Sequence, residues 1–345
     1  MLGNEILLLG CATLLLLSLL LLMLIYLVIR KTLEIKNRRT IDELKDEYNS
    51  ILFQYIYSGT LSREIQADTI LKQKAVEETL AGFSEVLEEK AMNERLSYLA
   101  EKHLGKPYAS RLKKRNWSIR MNTLSYVESF QMKSLLSYII NILEKPSATP
   151  DEKILCLRIM GSFQDPRLME YLNNFTFLSD SDYRSILLRL SEKNFDICVL
   201  GYHQSNDQLK LALLDVIGIK KDLNYVSFLN DIFRESDHEE RVRSLKAIAN
   251  IGYIKDPESI IPLSTSKRWE ERMIAARIFG ILKSKPLIPI LITLLHDSNW
   301  WVRSEAGAAL TAFPDGKVVL EDISKTDEDR FARDMAWEWL HKGVI

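Results

Sequence analysis

The chain has 345 residues and a formal net charge of −1, so no overall electrostatic field recruits nucleic acid or acidic partners. Charged residues make up 27% and hydrophobic residues 47% of the sequence, which excludes general disorder and indicates an ordered globular chain. Its three cysteines lie far apart without CxxC spacing, so we expect no disulfide framework. Long alternating runs typical of β-strands are missing, and we therefore expect an all-α fold.

The first predicted element is a transmembrane helix. The stretch from Ile6 to Ile29 carries no charge and is rich in leucine. As an α-helix it would be about 36 Å long, enough to cross a hydrocarbon core of about 30 Å. A cleaved signal peptide fits less well, because no Lys or Arg precedes the stretch and no small-residue cleavage pattern follows it. The sequence therefore predicts an uncleaved membrane anchor over residues 1–29.

Basic residues flank this stretch on its C-terminal side only, whereas Glu5 precedes it. The positive-inside rule then places the N-terminus outside the cell membrane and the rest of this single-pass chain in the cytoplasm. The same cations could contact anionic lipid headgroups, or they could serve as a topology signal alone. They are Arg30, Lys31, Lys36, Arg38 and Arg39.

Residues 30–105 are predicted to form a juxtamembrane helical stalk. Apolar residues from Ile41 to Tyr55 recur at steps of three and four, as they do on one face of a helix. The stripe is too short to predict a coiled coil. After an interruption at Gly59, Ser62 is predicted to cap a second helical stretch.

A basic segment follows at residues 102–120, with seven Lys or Arg residues and no Asp or Glu. Such a segment could bind nucleic acid, phospholipid or an acidic partner. It could equally be a solvated linker whose charge balances acids elsewhere. The candidate contacts are Lys113, Lys114 and Arg115.

Further along the chain, a pattern recurs about every 31 residues. With Arg303 as position zero, steps of 31 residues back reach Arg272 and Arg241, and a step of 30 forward reaches Arg333; Arg120 occupies a similar position with looser spacing. Apolar residues that suit a helix core stand seven residues after each zero position. Four residues before it stand predicted N-caps, namely Asn116, Thr149, Asp180, Asn206, Asp237, Asn299 and Asp329.

A second helix is predicted in each unit, because a proline follows the first helix and proline favours the first turn of a helix. Helix, short turn and helix at this period are typical of an α-solenoid, in which each hairpin buries its apolar stripe only by stacking on its neighbours. The predicted solenoid domain covers residues 106–345. The prolines are Pro166, Pro257, Pro286 and Pro314.

The unit resembles the HEAT-like repeat, including the short class first associated with phycobilisome lyases. The resemblance rests on the Asp or Asn cap, the apolar–Arg pair Val302-Arg303 and the Ala/Gly-rich helix, and it covers about 107–345. It implies a right-handed solenoid and does not fix a function, because such repeats serve many roles. Second helices usually line the binding surface of such solenoids, and here they would be drawn from 133–144, 222–234, 257–263 and 286–296.

The stretch 299–313, NWWVRSEAGAALTAF, could be a binding motif, because two tryptophans stand beside an arginine. It aligns with 116–130, NWSIRMNTLSYVESF, so we interpret it as a repeat helix capped by Asn299. The arginines at position zero are then expected to hydrogen-bond neighbouring repeats; the alternative is a ladder that grips an acidic partner. The repeat does not explain Trp301, which is the candidate partner contact.

Short catalytic motifs are missing: there is no HExxH, no Cys/His metal spacing, no GxxxxGK[ST] and no GxSxG. We therefore expect no catalytic residue, cofactor, metal or small-molecule substrate, and a chain that is not an enzyme. A lyase-type repeat enzyme remains the alternative; it predicts an acid/base or thiol cluster in the solenoid groove, and exposure of Cys156 or Cys198 there would favour it.

Together these patterns predict a membrane-anchored scaffold or adaptor that holds a protein partner at the cytoplasmic face. The layout is similar to that of prokaryotic single-pass companions of membrane glycosyltransferases in surface-polysaccharide export, which implies such an enzyme as partner. The other alternative is a nucleic-acid or lipid-surface binder that uses residues 102–120.

Overall fold

The computed structural model describes residues 2–60, 63–87 and 89–342, and of residues 2–8 the backbone only. Every regular element in these ranges is helical, which confirms the expected all-α class. The chain divides into two compact units, residues 1–163 and residues 164–345.

Unit 1 contains six α-helices within the described residues, of which α1 is by far the longest. Thr69 caps α2, because its Oγ1 accepts a hydrogen bond of 3.3 Å from the Lys72 N–H. The cap predicted at Ser62 lies outside the described residues. The helices are α1 (Leu2–Ser58), α2 (Ile70–Ser84), α3 (Lys90–Leu112), α4 (Trp117–Ser129), α5 (Leu136–Leu143) and α6 (Pro150–Phe163), with a 3₁₀ turn at Lys133–Leu135.

The helix α1 runs without interruption from the apolar stretch into the core of unit 1. Its side chains from 9 to 39 are exposed, and among the described residues it is the one helix long and apolar enough to cross a membrane. Beyond that stretch, α1 contacts both α2 and α3. The side chains that it buries there are Ile41, Tyr48, Leu52 and Ile56.

Two ion pairs reinforce this contact between α1 and α2. Arg38 and Lys45 of α1 donate to the Glu78 carboxylate of α2 at 2.8 and 3.0 Å. The C-terminal half of α1 is therefore part of a packed core rather than a free stalk. The predicted domain boundaries, after residue 29 and after residue 105, stay predictions. The helix α1 continues across the first boundary and α3 across the second.

From α10 onward, the helices of unit 2 form a contacting series and a second set that packs against it. The helices α10, α12, α13, α15 and α17 contact one another in that order, and α11, α14, α16 and the 3₁₀ segment pack against members of this series. The elements are α7 (Leu168–Asn174), α8 (Asp180–Leu187), α9 (Glu192–Leu200), α10 (Asp207–Lys220), α11 (Val226–Glu235), α12 (His238–Ile251), a 3₁₀ segment (Pro257–Thr265), α13 (Trp269–Leu282), α14 (Ile288–Leu295), α15 (Trp300–Thr311), α16 (Gly316–Thr326) and α17 (Arg330–His341), with 3₁₀ turns at Tyr202–Gln204, Leu223–Tyr225 and Lys285–Leu287.

Small residues let neighbouring helices of this series approach closely. A Cβ added at Gly280 of α13 would lie 2.9 Å from the Cα of Ala309 in α15, closer than side chains can approach backbone. Ala306 and Leu310 of α15 are completely buried. The Ala/Gly-rich composition of these helices is therefore a packing requirement.

Most of the predicted N-caps accept a backbone hydrogen bond, and two do not. The Asp237 side chain makes no cap hydrogen bond. Asp180 is the first residue of α8, and Ser179 caps that helix in a reciprocal arrangement with Asp182. The Asp180 carboxylate instead pairs with Arg243 at 2.7 Å. The residues whose side chains do cap are Asn116, Thr149, Asn206, Asn299 and Asp329.

We expect Gly280→Ala to destabilise unit 2 by about 1–3 kcal/mol, because the new methyl group would overlap the backbone of α15. Gly82→Ala is the matched control, since no atom lies within 4 Å of a Cβ added there. That change should stabilise α2 by about 0.5–1 kcal/mol. Hydrogen exchange, which reports each unit separately, measures both effects. Unchanged protection of α13 and α15 in Gly280→Ala would contradict the close approach.

We expect Leu52→Ala to destabilise unit 1 by about 2–5 kcal/mol, because the side chain is completely buried against the neighbouring helices. Phe53→Ala, at the next position where 55% of the side chain is exposed, should cost less. Urea unfolding of the detergent-solubilised chain measures the difference. Equal losses for the two variants would mean that α1 does not belong to the core of unit 1.

Candidate functional site

The arginines at position zero of the repeat connect successive helices. Each donates to an acid that lies in, or in the loop directly before, the helix packed beside its own. The pairs are Arg120 to Glu152 at 2.6 Å, Arg241 to Glu271 at 2.9 Å, Arg272 to Asp297 at 2.5 Å and Arg303 to Asp329 at 2.7 Å. Each of these four also donates to a carbonyl close before its own helix, and Arg333 donates to the Asp327 and Glu328 carbonyls. These guanidinium groups are therefore engaged inside the fold.

Two of the acids that receive these arginines, Glu152 and Asp297, are held in their charged form. Burial raises the pKa of Glu152, but hydrogen bonds from Arg120 and Thr149 outweigh it and hold the pKa below its usual value. In the same way Arg272 and the Asn299 N–H lower the pKa of Asp297 against the opposing effect of burial. Sequence reasoning missed Glu152 and its equivalent Glu271, although each directly precedes a position-zero residue.

Large aromatic side chains are exposed on α15 and α17. Trp300, Trp301 and Phe331 expose 52%, 57% and 68% of their surface, and we call these three residues the aromatic patch. The two tryptophan rings meet edge to face with centroids 4.8 Å apart. Trp300 and Phe331 line a cavity of about 410 Å³, together with Arg303, Asp334, Met335 and Glu338.

The two tryptophans of the stretch 299–313 are thus accessible to a similar degree. Sequence reasoning left Trp301 unexplained and attributed Trp300 to the repeat, like its counterpart Trp117. Trp300 and Trp117 are in fact exposed, because each is the first residue of its helix and precedes the buried stripe. A periodic match shows an equivalent position, but it does not show that the position is buried.

The predicted basic contacts Lys113, Lys114 and Arg115 lie between α3 and α4 in unit 1, and all three are exposed. The Lys113 ammonium lies 5.1 Å from the centre of the Tyr138 ring. The juxtamembrane cations are also exposed on α1. Arg38 is already paired with Glu78 and Asp42, and Lys31 with Glu34.

Neither thiol proposed for a lyase site is accessible. Cys156 is completely buried and Cys198 is 2% exposed. Burial raises the pKa of both thiols, to about 11 for Cys198, so both stay protonated near neutral pH. Among the described residues, no three His, Cys, Asp or Glu side chains come together in a way that could hold a metal ion.

A family model, the HEAT repeat, matches residues 287–313, which include α14 and α15. The chain carries a HEAT-like helical repeat. No curated protein matches the chain.

The matched span pairs the helices differently from the pairing predicted from the sequence. It starts just before α14 and ends just after α15, so in the family's unit the Ala/Gly-rich helix comes second. Sequence reasoning had paired that helix with the one after it, and had placed the second helices at 133–144, 222–234, 257–263 and 286–296. Which helices line a binding surface stays a prediction.

One solved structure similar to the chain is that of human deoxyhypusine hydroxylase in complex with glycerol, at 14% identity and a TM-score of 0.29, covering 89% of this chain and 98% of that chain. Its name is that of an enzyme, so the expectation that the present chain is not an enzyme is corrected: missing short motifs do not exclude catalysis in such helical chains. Residues far apart in sequence can form a site there without any local motif. The low TM-score assigns no activity to this chain.

The lowered carboxylate pKa values predict a stability that falls in acid. A carboxyl group whose pKa is lower in the folded state contributes stability above its unfolded pKa, and this contribution is lost as the pH falls through the folded pKa. For Glu152 the loss should therefore begin near its ordinary value of 4.5 and continue below it. Thermal unfolding followed from pH 7 to pH 3 should show a shallower acid decline in Glu152→Gln. A decline as steep as that of the unmodified chain would contradict the Arg120–Glu152 contribution.

Proposed function

We propose that this protein is a membrane-anchored scaffold that holds a protein partner at the cytoplasmic face through its HEAT-like repeats. The observation that carries the proposal is the aromatic patch. Tryptophan and other aromatic residues are enriched at the energetic centres of protein interfaces, because they bury a large area at a small cost in conformational entropy. In a soluble surface that has no partner, adjacent exposed tryptophans would promote unspecific association.

The patch lies on helices that resist deformation. Arg303 is fixed between the Asp329 carboxylate and the Asp297 carbonyl, and its guanidinium lies 5.3 Å from the Phe331 ring centre. The Arg303 side chain therefore links α15 to the N-cap residue of α17, next to the Phe331 ring. A preorganised surface of this kind loses little entropy on binding.

The anchor in this proposal is the apolar part of α1. Its basic flank orients the chain with both units in the cytoplasm, and confinement to the membrane raises the local concentration of a partner that is also in the membrane. The partner that we propose is a membrane glycosyltransferase of a surface-polysaccharide system.

Photo-crosslinking tests the patch directly. A photoreactive phenylalanine analogue at the position of Trp301 should form a crosslink to one protein in intact membranes. The same analogue at the position of Tyr253, which is 55% exposed elsewhere in unit 2, is the matched control and should not form it. A common set of products from both positions, or none from either, would refute the patch as the partner surface.

Alanine substitution measures how much the two tryptophans contribute to partner binding. Trp300→Ala together with Trp301→Ala should lower recovery of the crosslinked protein in detergent co-purification by about tenfold or more, equivalent to ~1.4 kcal/mol. Tyr253→Ala should leave recovery unchanged. Removal of residues 1–29 should leave binding in detergent intact and abolish it in membranes; loss in both conditions would contradict the separate role of the anchor.

A further inference from the structure

A cavity in unit 1 is lined by several cations, among them Lys114 of the basic segment. It has a volume of about 530 Å³, within the range of roughly 300–1,000 Å³ that is usual for sites of small ligands. Residues of α2, α3 and α4 line it, together with the connection between α3 and α4. Its polar and charged lining side chains include Lys74, Glu77, Arg111, Lys114, Asn122 and Ser125.

One buried carboxylate fixes two of the cations in the wall. Glu77 is 1% exposed and accepts hydrogen bonds from the Tyr108 hydroxyl and from Arg111, both at 2.7 Å, while Lys74 forms an ion pair with its other oxygen. Burial and the neighbouring carboxylate raise the pKa of Tyr108, so its hydroxyl stays protonated and donates. The Glu77 oxygens are thus satisfied from inside the protein.

Lys114 brings additional positive charge to the same cavity. Three cations face one carboxylate in the lining, which leaves an excess of two positive charges. Among the described residues, no carboxylate lies within ion-pair distance of Lys114. A second cavity of about 370 Å³ shares this lysine, and its further cations include Lys113, Arg115 and Lys145. The acid there, Glu152, is already bonded to Arg120.

We propose that the cavity formed by Lys74, Arg111 and Lys114 binds a phosphate group, carried either by a lipid headgroup or by a small soluble compound. A phosphate monoester has a charge of about −1.5 to −2 near neutral pH, which matches the excess charge of the lining. Arg and Lys together supply the forked and single donors that phosphate oxygens accept. The exposed polar side chains of Asn122 and Ser125 are available at the same wall.

The position of the cavity explains why a lipid headgroup is one of the two sources. Glu78 follows Lys74 by one helical turn, and Arg38 of α1 holds it. Arg38 in turn follows Ile29, the end of the apolar stretch, by nine residues, which is about 14 Å along a helix. With α1 across a bilayer, the cavity lies close to the headgroup layer. The phosphate site itself does not depend on the proposed scaffold function, whereas the lipid headgroup as its source rests on the membrane anchor of that proposal.

Calorimetric titration of the full chain in phosphatidylcholine nanodiscs tests the site. The two probes are inorganic phosphate and a short-chain, water-soluble phosphatidic acid. We expect saturable binding at one site, weakened about tenfold or more by Lys114→Glu. The matched control is Lys106→Glu, an equal charge reversal at an exposed position of α3 outside the lining, which should change the affinity by less than about twofold.

The two probes distinguish the sources of the phosphate group. Tighter binding of phosphatidic acid than of inorganic phosphate assigns a lipid headgroup, and equal binding assigns a soluble compound; both support the site. Absence of saturable binding by either probe overturns it. Equal weakening by the two charge reversals also overturns it, because that is the result of general electrostatic attraction.

A second variant keeps the test valid if Lys114→Glu fails to fold. Asn122→Asp adds a negative charge to the same wall at an exposed position, where it should not disturb the core. It should also weaken phosphate binding about tenfold while the helical circular dichroism stays unchanged. A folded Asn122→Asp protein that binds phosphate as tightly as the unmodified chain would overturn the proposal.

Discussion

Close packing of successive helices is the constraint on which the rest of unit 2 depends. A single pair of short amphipathic helices buries too little apolar surface to be stable, so each pair must pack against its neighbours. Helices reach each other closely only where a small residue stands at the crossing, as Gly280 does against Ala309. The same packing leaves the first residue of each long helix outside the core, and there Trp300 becomes accessible.

The arginine–acid pairs fix the register of this packing. Apolar surfaces are attractive in many relative positions, whereas a guanidinium bound both to a carboxylate and to a backbone carbonyl tolerates only one. The net contribution of such a pair to stability is small, because desolvation offsets most of the attraction. Its loss is costly nevertheless, since the remaining partner stays buried and charged. The recurrence of arginine in the sequence therefore reflects positioning of helices more than affinity for a ligand.

In unit 1 the corresponding constraint is the continuity of α1. The apolar stretch and the buried stripe from Ile41 to Ile56 belong to one helix, so the orientation of the stretch and that of the unit 1 core are mechanically coupled. The ion pairs of Glu78 with Arg38 and Lys45 secure the coupling. A flexible linker would leave the apolar stretch free to move relative to the cavity at Lys114, whereas the packed helix restricts that movement.

The sequence by itself determined the helical class, the period of the repeat, the position of the apolar stretch and most of the helix caps, because these depend on residues that are near each other along the chain. Only the tertiary structure decided that Trp300 and Trp301 are both exposed, which acid receives each arginine, and that Lys74 and Lys114 line one cavity although forty residues separate them. It also moved the cap of α8 to Ser179, since Asp180 pairs with Arg243 from a distant helix. Periodicity specifies the face of a helix on which a residue lies. What lies opposite that face is set by the packing of helices far apart in the chain, which no local pattern encodes.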